Sequence, residues 1–144
     1  MHLLLPFDIV AVESRVPQSA FVVSPTSERA VRYAFEVFGR HDDLSVTAVE
    51  LSAESISLEE NLGMADIRSI ATELDADAEV SQYSVTDVDS MASLRRAILN
   101  IVEAEGVDTV VMGYGSESFA DTAFSGSTPA RILEDRDVPV VLVP

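Results

Sequence analysis

Short apolar runs alternate with amphipathic helical patterns along this chain. That alternation predicts an α/β fold: a parallel sheet with helices packed on its faces. The runs are "AFVV" (20–23), "SVTAVEL" (45–51), "AEVSQYSV" (78–85), "VDTVVMG" (107–113) and "VPVVLVP" (138–144). Between the first pair, Ser27 is placed to cap a helix. There Ala30, Val31, Ala34, Val37 and Phe38 recur at core spacing, and Arg29, Arg32, Glu36 and Arg40 fall on the other side. A second helix is expected over 57–74, with Ile67, Ile70, Ala71 and Leu74 inward. A third spans 90–105, with Met91, Leu94, Ile98, Ile101 and Val102 in one stripe, Asp89 or Ser90 as cap and Gly106 as terminator. A last helix is expected from Ser127–Pro129 to about Asp135. The chain has 144 residues, enough for one domain with a real core. The expected architecture is a single doubly wound open sheet of about five parallel strands and four helices.

Composition excludes several kinds of chemistry. Cysteine is absent, which removes disulfides, thiolate catalysis and cysteine metal sites together. His2 and His41 are far apart and form no ligand spacing. All nine basic residues are arginine, so a Walker A loop, which needs lysine, is ruled out. No Gly-x-Ser-x-Gly elbow exists, and no carboxylate pair stands out. The expectation is a protein that is not an enzyme. No apolar run nears the roughly 18 residues that cross a membrane. The start "MHLLLPFDIVAVES" lacks the basic front of a signal peptide, so a cytoplasmic protein is expected.

Asp and Glu total 25, and the formal net charge is −16. No basic patch is available for a nucleic acid backbone. Self-repulsion at this charge weakens a compact fold in dilute buffer. At about 1 M salt the Debye length is only about 3 Å and the repulsion is screened. The charge therefore points to a salt-rich cytoplasm. Melting temperature is expected to rise from low to molar KCl, and equal stability at both would contradict this.

The most informative stretch is "VVMGYGSESFADTAFSGSTPARIL" (110–133). A strand runs into Gly113, Tyr114, Gly115 and Ser116, a polar loop follows, and Gly126, Ser127 and Thr128 stand at a helix mouth before Pro129. Glycine permits positive φ and close approach of a ligand to the main chain. Free N–H groups at a helix start bind anions. In a purely structural reading, Gly113 ends a strand and Ser127 or Thr128 caps a helix.

These residues resemble the signature of the universal stress proteins: glycine, two residues, glycine, nine residues, then Gly-Ser or Gly-Thr. Gly113, Ser116 in the second glycine's place, and Gly126-Ser127 fill it here. "DTVVMG", "GSTPARIL", "VPVVLVP" and "SERAVRYAFEVF" resemble the family's flanking elements, so the likeness covers residues 20–144. The resemblance implies an adenine nucleotide alpha hydrolase-like fold with strand order 3-2-1-4-5. It implies a stress-response protein that binds ATP or AMP, with Mg²⁺ as a bridge between carboxylate and phosphate. The implied contacts are Met112, Gly113, Gly115 and Ser116, with Gly126, Ser127 and Thr128 at the phosphates. Val49, and Val23 or Ser24 after the first strand, would meet the base or ribose. It also implies a homodimer through the edge strand 138–144. The departures are Ser116 for glycine, Glu117 and Asp121 in the loop, and no aspartate in "FVVSPTSERA" where the family's first strand ends. They favour an alternative from a different class: a dimeric protein-interaction module that has kept the fold and lost the nucleotide.

The N-terminus offers a competing alignment. "HLLLPFD" (2–8) resembles that first strand, with Pro6 and Asp8 in the family's places, but requires residues 9–23 as an insertion. Residues 20–23 run straight into the helix, as a βα unit does. They are therefore read as the first strand, with 1–18 as an arm or extra edge strand and 19–144 as the domain.

Overall fold

The computed structural model describes residues 1–12, 20–51, 63–85, 91–113 and 138–144. Its strands are β1 (His2–Val12), β2 (Ala20–Val23), β3 (Leu44–Leu51), β4 (Ala78–Val85), β5 (Thr109–Gly113) and β6 (Val140–Val143). Its helices are α1 (Pro25–Phe38), α2 (Gly63–Glu73) and α3 (Met91–Glu105). The parallel strands lie in the order β4-β3-β1-β5-β6. Counting only these five along the chain, that is the order 3-2-1-4-5. The expected last helix near 127–135 lies outside the described residues.

The central strand is β1, not the 20–23 segment. β1 pairs with β3 from His2↔Ser45 to Asp8↔Leu51, and with β5 at Leu3↔Thr109 and Leu4↔Val110. The reading of residues 1–18 as an arm or edge strand gives way here. A strand covered on both faces needs a continuous apolar run. "LLLPF" supplies one: Leu3, Leu4 and Phe7 are fully buried and Leu5 nearly so. β2 does run straight into α1, as the sequence suggested, but it pairs antiparallel with the far end of β1, from Ile9↔Val23 to Val12↔Ala20. Residues 9–23 therefore contain a β-ribbon, inserted between the central strand and its helix.

Alternation along β1 divides the core into two clusters. Leu3, Leu5 and Phe7 join Val46, Ala48 and Val111 beneath α1 and α2, with Ala30, Val31, Ala34, Phe35, Ile67, Ile70 and Ala71. Leu4 joins Val49, Val110 and Met112 beneath α3, with Ile98, Ile101 and Val102. The α2 and α3 residues named here are those the helical spacing predicts. In α1, Val37 is exposed and Phe35 is buried instead. At 100° per residue, Val37 falls roughly a quarter-turn from the centre of the buried Ala30–Val31–Ala34–Phe35 stripe, on the solvent side. α1 is capped by Ser24, whose Oγ accepts from the Ser27 N–H at 3.2 Å, so Ser27 is not the cap. Gly106 ends α3 as expected, with φ of 63°.

Candidate functional site

The order of the parallel strands reverses between β1 and β5. In open α/β sheets a ligand crevice lies at such a switch point, outside the carboxyl ends of the strands. Here the β1–β5 ladder stops at Leu4↔Val110, just before Pro6, while the β1–β3 ladder continues to Asp8↔Leu51. Proline has no N–H to offer a ladder. β5 meanwhile stays paired with β6 through Gly113↔Val143. The ends of β1 and β5 are thus held by their outer neighbours and left unpaired with each other.

Around this gap stand several residues that the sequence singled out. Val49 and Met112 are buried in the same cluster, either side of Leu4. Gly113 is the last residue of β5. Its place in the fold is set by α1. A Cβ built on Gly113 would lie 2.7 Å from the Thr26 carbonyl oxygen and 2.8 Å from its carbon. No positive φ is involved, so the glycine serves close packing of backbone on backbone, and the neighbour is the first turn of α1. Asp8 ends the parallel part of β1, opposite Leu51.

Val23 and Ser24 occupy a different setting from the one the sequence suggested. They close the ribbon strand, not the central strand. Val23 is buried against α1 and α2, and its N–H donates to Asp66 Oδ2 of α2 at 3.2 Å. Ser24 caps α1. Gly115, Ser116, Gly126, Ser127 and Thr128 lie outside the described residues, as do Glu117 and Asp121.

Two charged residues at this end of the sheet were not singled out from the sequence. Arg29 donates from Nε to the Pro144 carbonyl at 3.0 Å and from Nη2 to Thr26 Oγ1 at 3.3 Å. It ties the end of β6 to the turn that covers Gly113. Its helical spacing marked it only as solvent-facing. Glu50, next to last in β3, is fully buried opposite Phe7 and Ser84. Nothing in the alternation of "SVTAVEL" marks a buried acid.

A separate cleft of about 330 Å³ opens between α1 and α2, lined by Val23, Glu28, Arg32, Asp66, Ile70 and Glu73 among others. Arg32 bonds Glu28 at 3.1 Å and Glu73 at 3.3 Å. The hydrogen bond to Glu28, with the Glu73 carboxylate beyond it, raises the Arg32 pKa above its ordinary value. With Arg32 held between the Glu28 and Glu73 carboxylates, and Asp66 also in the lining, this cleft is unsuited to phosphate. For an anionic ligand the switch point is the better-suited candidate.

The Universal stress protein family model matches residues 21–144. The chain belongs to the universal stress protein family. Solved structures similar to it include a universal stress family protein from Burkholderia pseudomallei, 19% identical, with 99% of this chain and 95% of that one covered and a TM-score of 0.53. A family protein from Arabidopsis thaliana with AMP bound is 14% identical, covers 99% and 90%, and has a TM-score of 0.55. The universal stress protein of Archaeoglobus fulgidus is 13% identical, covers 100% and 93%, and also has a TM-score of 0.55. No curated protein matches. The family match begins inside the ribbon strand, whereas these structural likenesses take in nearly the whole chain, β1 included. No helix among the described residues is long and apolar enough to cross a membrane.

Proposed function

We propose that this universal stress protein binds an adenine nucleotide, ATP or AMP, at the β1–β5 switch point and works as a cytoplasmic, dimeric regulatory module without catalysis of its own. The observation that carries the reading is the unpaired gap at the carboxyl ends of β1 and β5, bordered by Gly113 and Asp8. The AMP-bound Arabidopsis relative of the same fold supports it. Backbone groups at Met112 and Gly113 would meet the ribose, and Gly115, Ser116, Gly126, Ser127 and Thr128 would cradle the phosphates. With β1 as the central strand, Asp8 takes the place the family gives to its nucleotide-binding aspartate. It replaces Val23 and Ser24 in this account. Mg²⁺ would offset Glu117 and Asp121 near the phosphates.

Calorimetric titration of Mg·ATP into ligand-stripped protein in molar KCl tests this. Micromolar binding is expected for the wild type, with a loss of at least tenfold in a Gly126→Val, Ser127→Ala variant. A folded wild type that takes up no nucleotide would refute it. The dimer would form through β6, the outer strand beyond β5, where Leu142 is 37% exposed. Light scattering on the same samples should give twice the mass of 15.5 kDa.

The rival reading is an interaction module without nucleotide. It is favoured by Gly113, because Thr26 already accounts for the missing side chain there.

A further inference from the structure

The sheet has a second edge. β4 is its outermost strand on the other side and pairs with β3 along its whole length, from Leu44↔Ala78 to Leu51↔Val85. Among the described residues nothing pairs with its outer side, so a row of backbone donors and acceptors is open. Natural edges are blunted by proline, lysine or a very short strand. "AEVSQYSV" has no proline, no basic residue and one charge, Glu79. The β6 edge is half as long and stands between Pro139 and Pro144.

Beside the β4 edge lies a groove of about 290 Å³ between the strand and α3, lined by Tyr83, Val85, Ala97, Ile101, Ala104 and Glu105 among others. Tyr83 is 49% exposed at its wall. Side chains alternate across a strand, so an added strand would send every second residue to the sheet face that carries Tyr83 and Val85. The open edge and the groove therefore serve the same incoming chain: main-chain bonds at the edge, and apolar side chains over the groove.

Charge selects the occupant. Glu79 and Glu105 are exposed on this surface, with Arg96 one turn before Asn100 on α3. A second copy would set Glu79 and Glu105 against their own like, a local repulsion that the uncharged β6 edge does not meet. We propose that the β4 edge and the Tyr83 groove bind an extended segment of another protein, with apolar residues facing the groove and basic residues alternating with them.

The probe is a labelled peptide of alternating lysine with valine or phenylalanine, long enough to span β4, with a glutamate-for-lysine counterpart. Anisotropy is followed at 0.15 M and 1 M KCl, and hydrogen exchange maps the protected amides. The lysine peptide is expected to bind at least tenfold more tightly than its acidic counterpart at the lower salt, and to protect residues 78–85. Tyr83→Ala and Ala104→Gln, both at exposed positions, should each cost at least tenfold in peptide affinity. Both should leave the melting temperature and the Mg·ATP titration unchanged, which separates this surface from the switch point. Equal affinity in wild type and variants would overturn the proposal, as would protection away from β4. A dimer mass lost on Tyr83→Ala would also overturn it, by giving the edge to a second copy.

Discussion

A chain starting at Phe21, the segment that the family model matches, is expected to remain unfolded. The expectation follows from the position of β1. Its loss would split the sheet into β3–β4 and β5–β6, which among the described residues are joined in the sheet only through β1. It would also remove Leu3, Leu4, Leu5 and Phe7, all at most 1% exposed. Burial of such side chains contributes about 1.5–3 kcal/mol each, so together roughly 6–12 kcal/mol. A domain's whole stability is about 5–15 kcal/mol. Circular dichroism and thermal melting of the 21–144 fragment in molar KCl should show no cooperative transition, where the full chain melts sharply. A cooperative melt of the fragment would return residues 1–18 to the status of an arm.

Gly113→Ala should be strongly destabilising for a single added methyl. The added carbon would meet the Thr26 carbonyl at 2.7–2.8 Å, and backbone in the first turn of a capped helix cannot swing aside as a side chain can. Overpacking of this kind costs typically about 1–3 kcal/mol. The upper value corresponds to a fall in melting temperature of roughly 6–12 °C for a domain a little larger than this one. Thr26→Ser in the same chain should not restore the loss. It removes Cγ2, one of the close atoms, but leaves the carbonyl where it is. Melting within a degree or two of wild type would mean that α1 does not press on β5 in this way.

Much of the fold is legible in the sequence because periodicity reports burial. The stripes of α2 and α3 fall where Ile67, Ile70, Ala71, Ile98, Ile101 and Val102 are buried, and β4 is the outer strand that the order 3-2-1-4-5 implies. The first strand is misread for a physical reason. "AFVV" satisfies every local requirement of a βα unit: β-branched residues, a Ser24 cap and direct entry into α1. Its antiparallel pairing with Ile9–Val12 is non-local, and no local pattern encodes it. The same shift moves Val23 and Ser24 to the joint between β2, α1 and α2, and puts Asp8 at the end of the parallel part of the central strand. The sequence singles out Gly113 as a place where a ligand can approach the main chain, or where a strand ends. What comes close to it is a carbonyl from α1, which spacing along the chain cannot reveal.

The most direct test of the account is to map Mg·ATP onto the isotopically labelled protein by amide chemical shifts in molar KCl. Saturable shifts are predicted at Asp8, at Val49 to Leu51 and at Met112 and Gly113, together with Gly115, Ser116 and Gly126 to Thr128. The amides of β4 and of the Glu28–Arg32–Glu73 cleft should stay in place. Shifts centred on that cleft, or at Val23 and Ser24 without Asp8, would contradict a nucleotide site at the β1–β5 switch point.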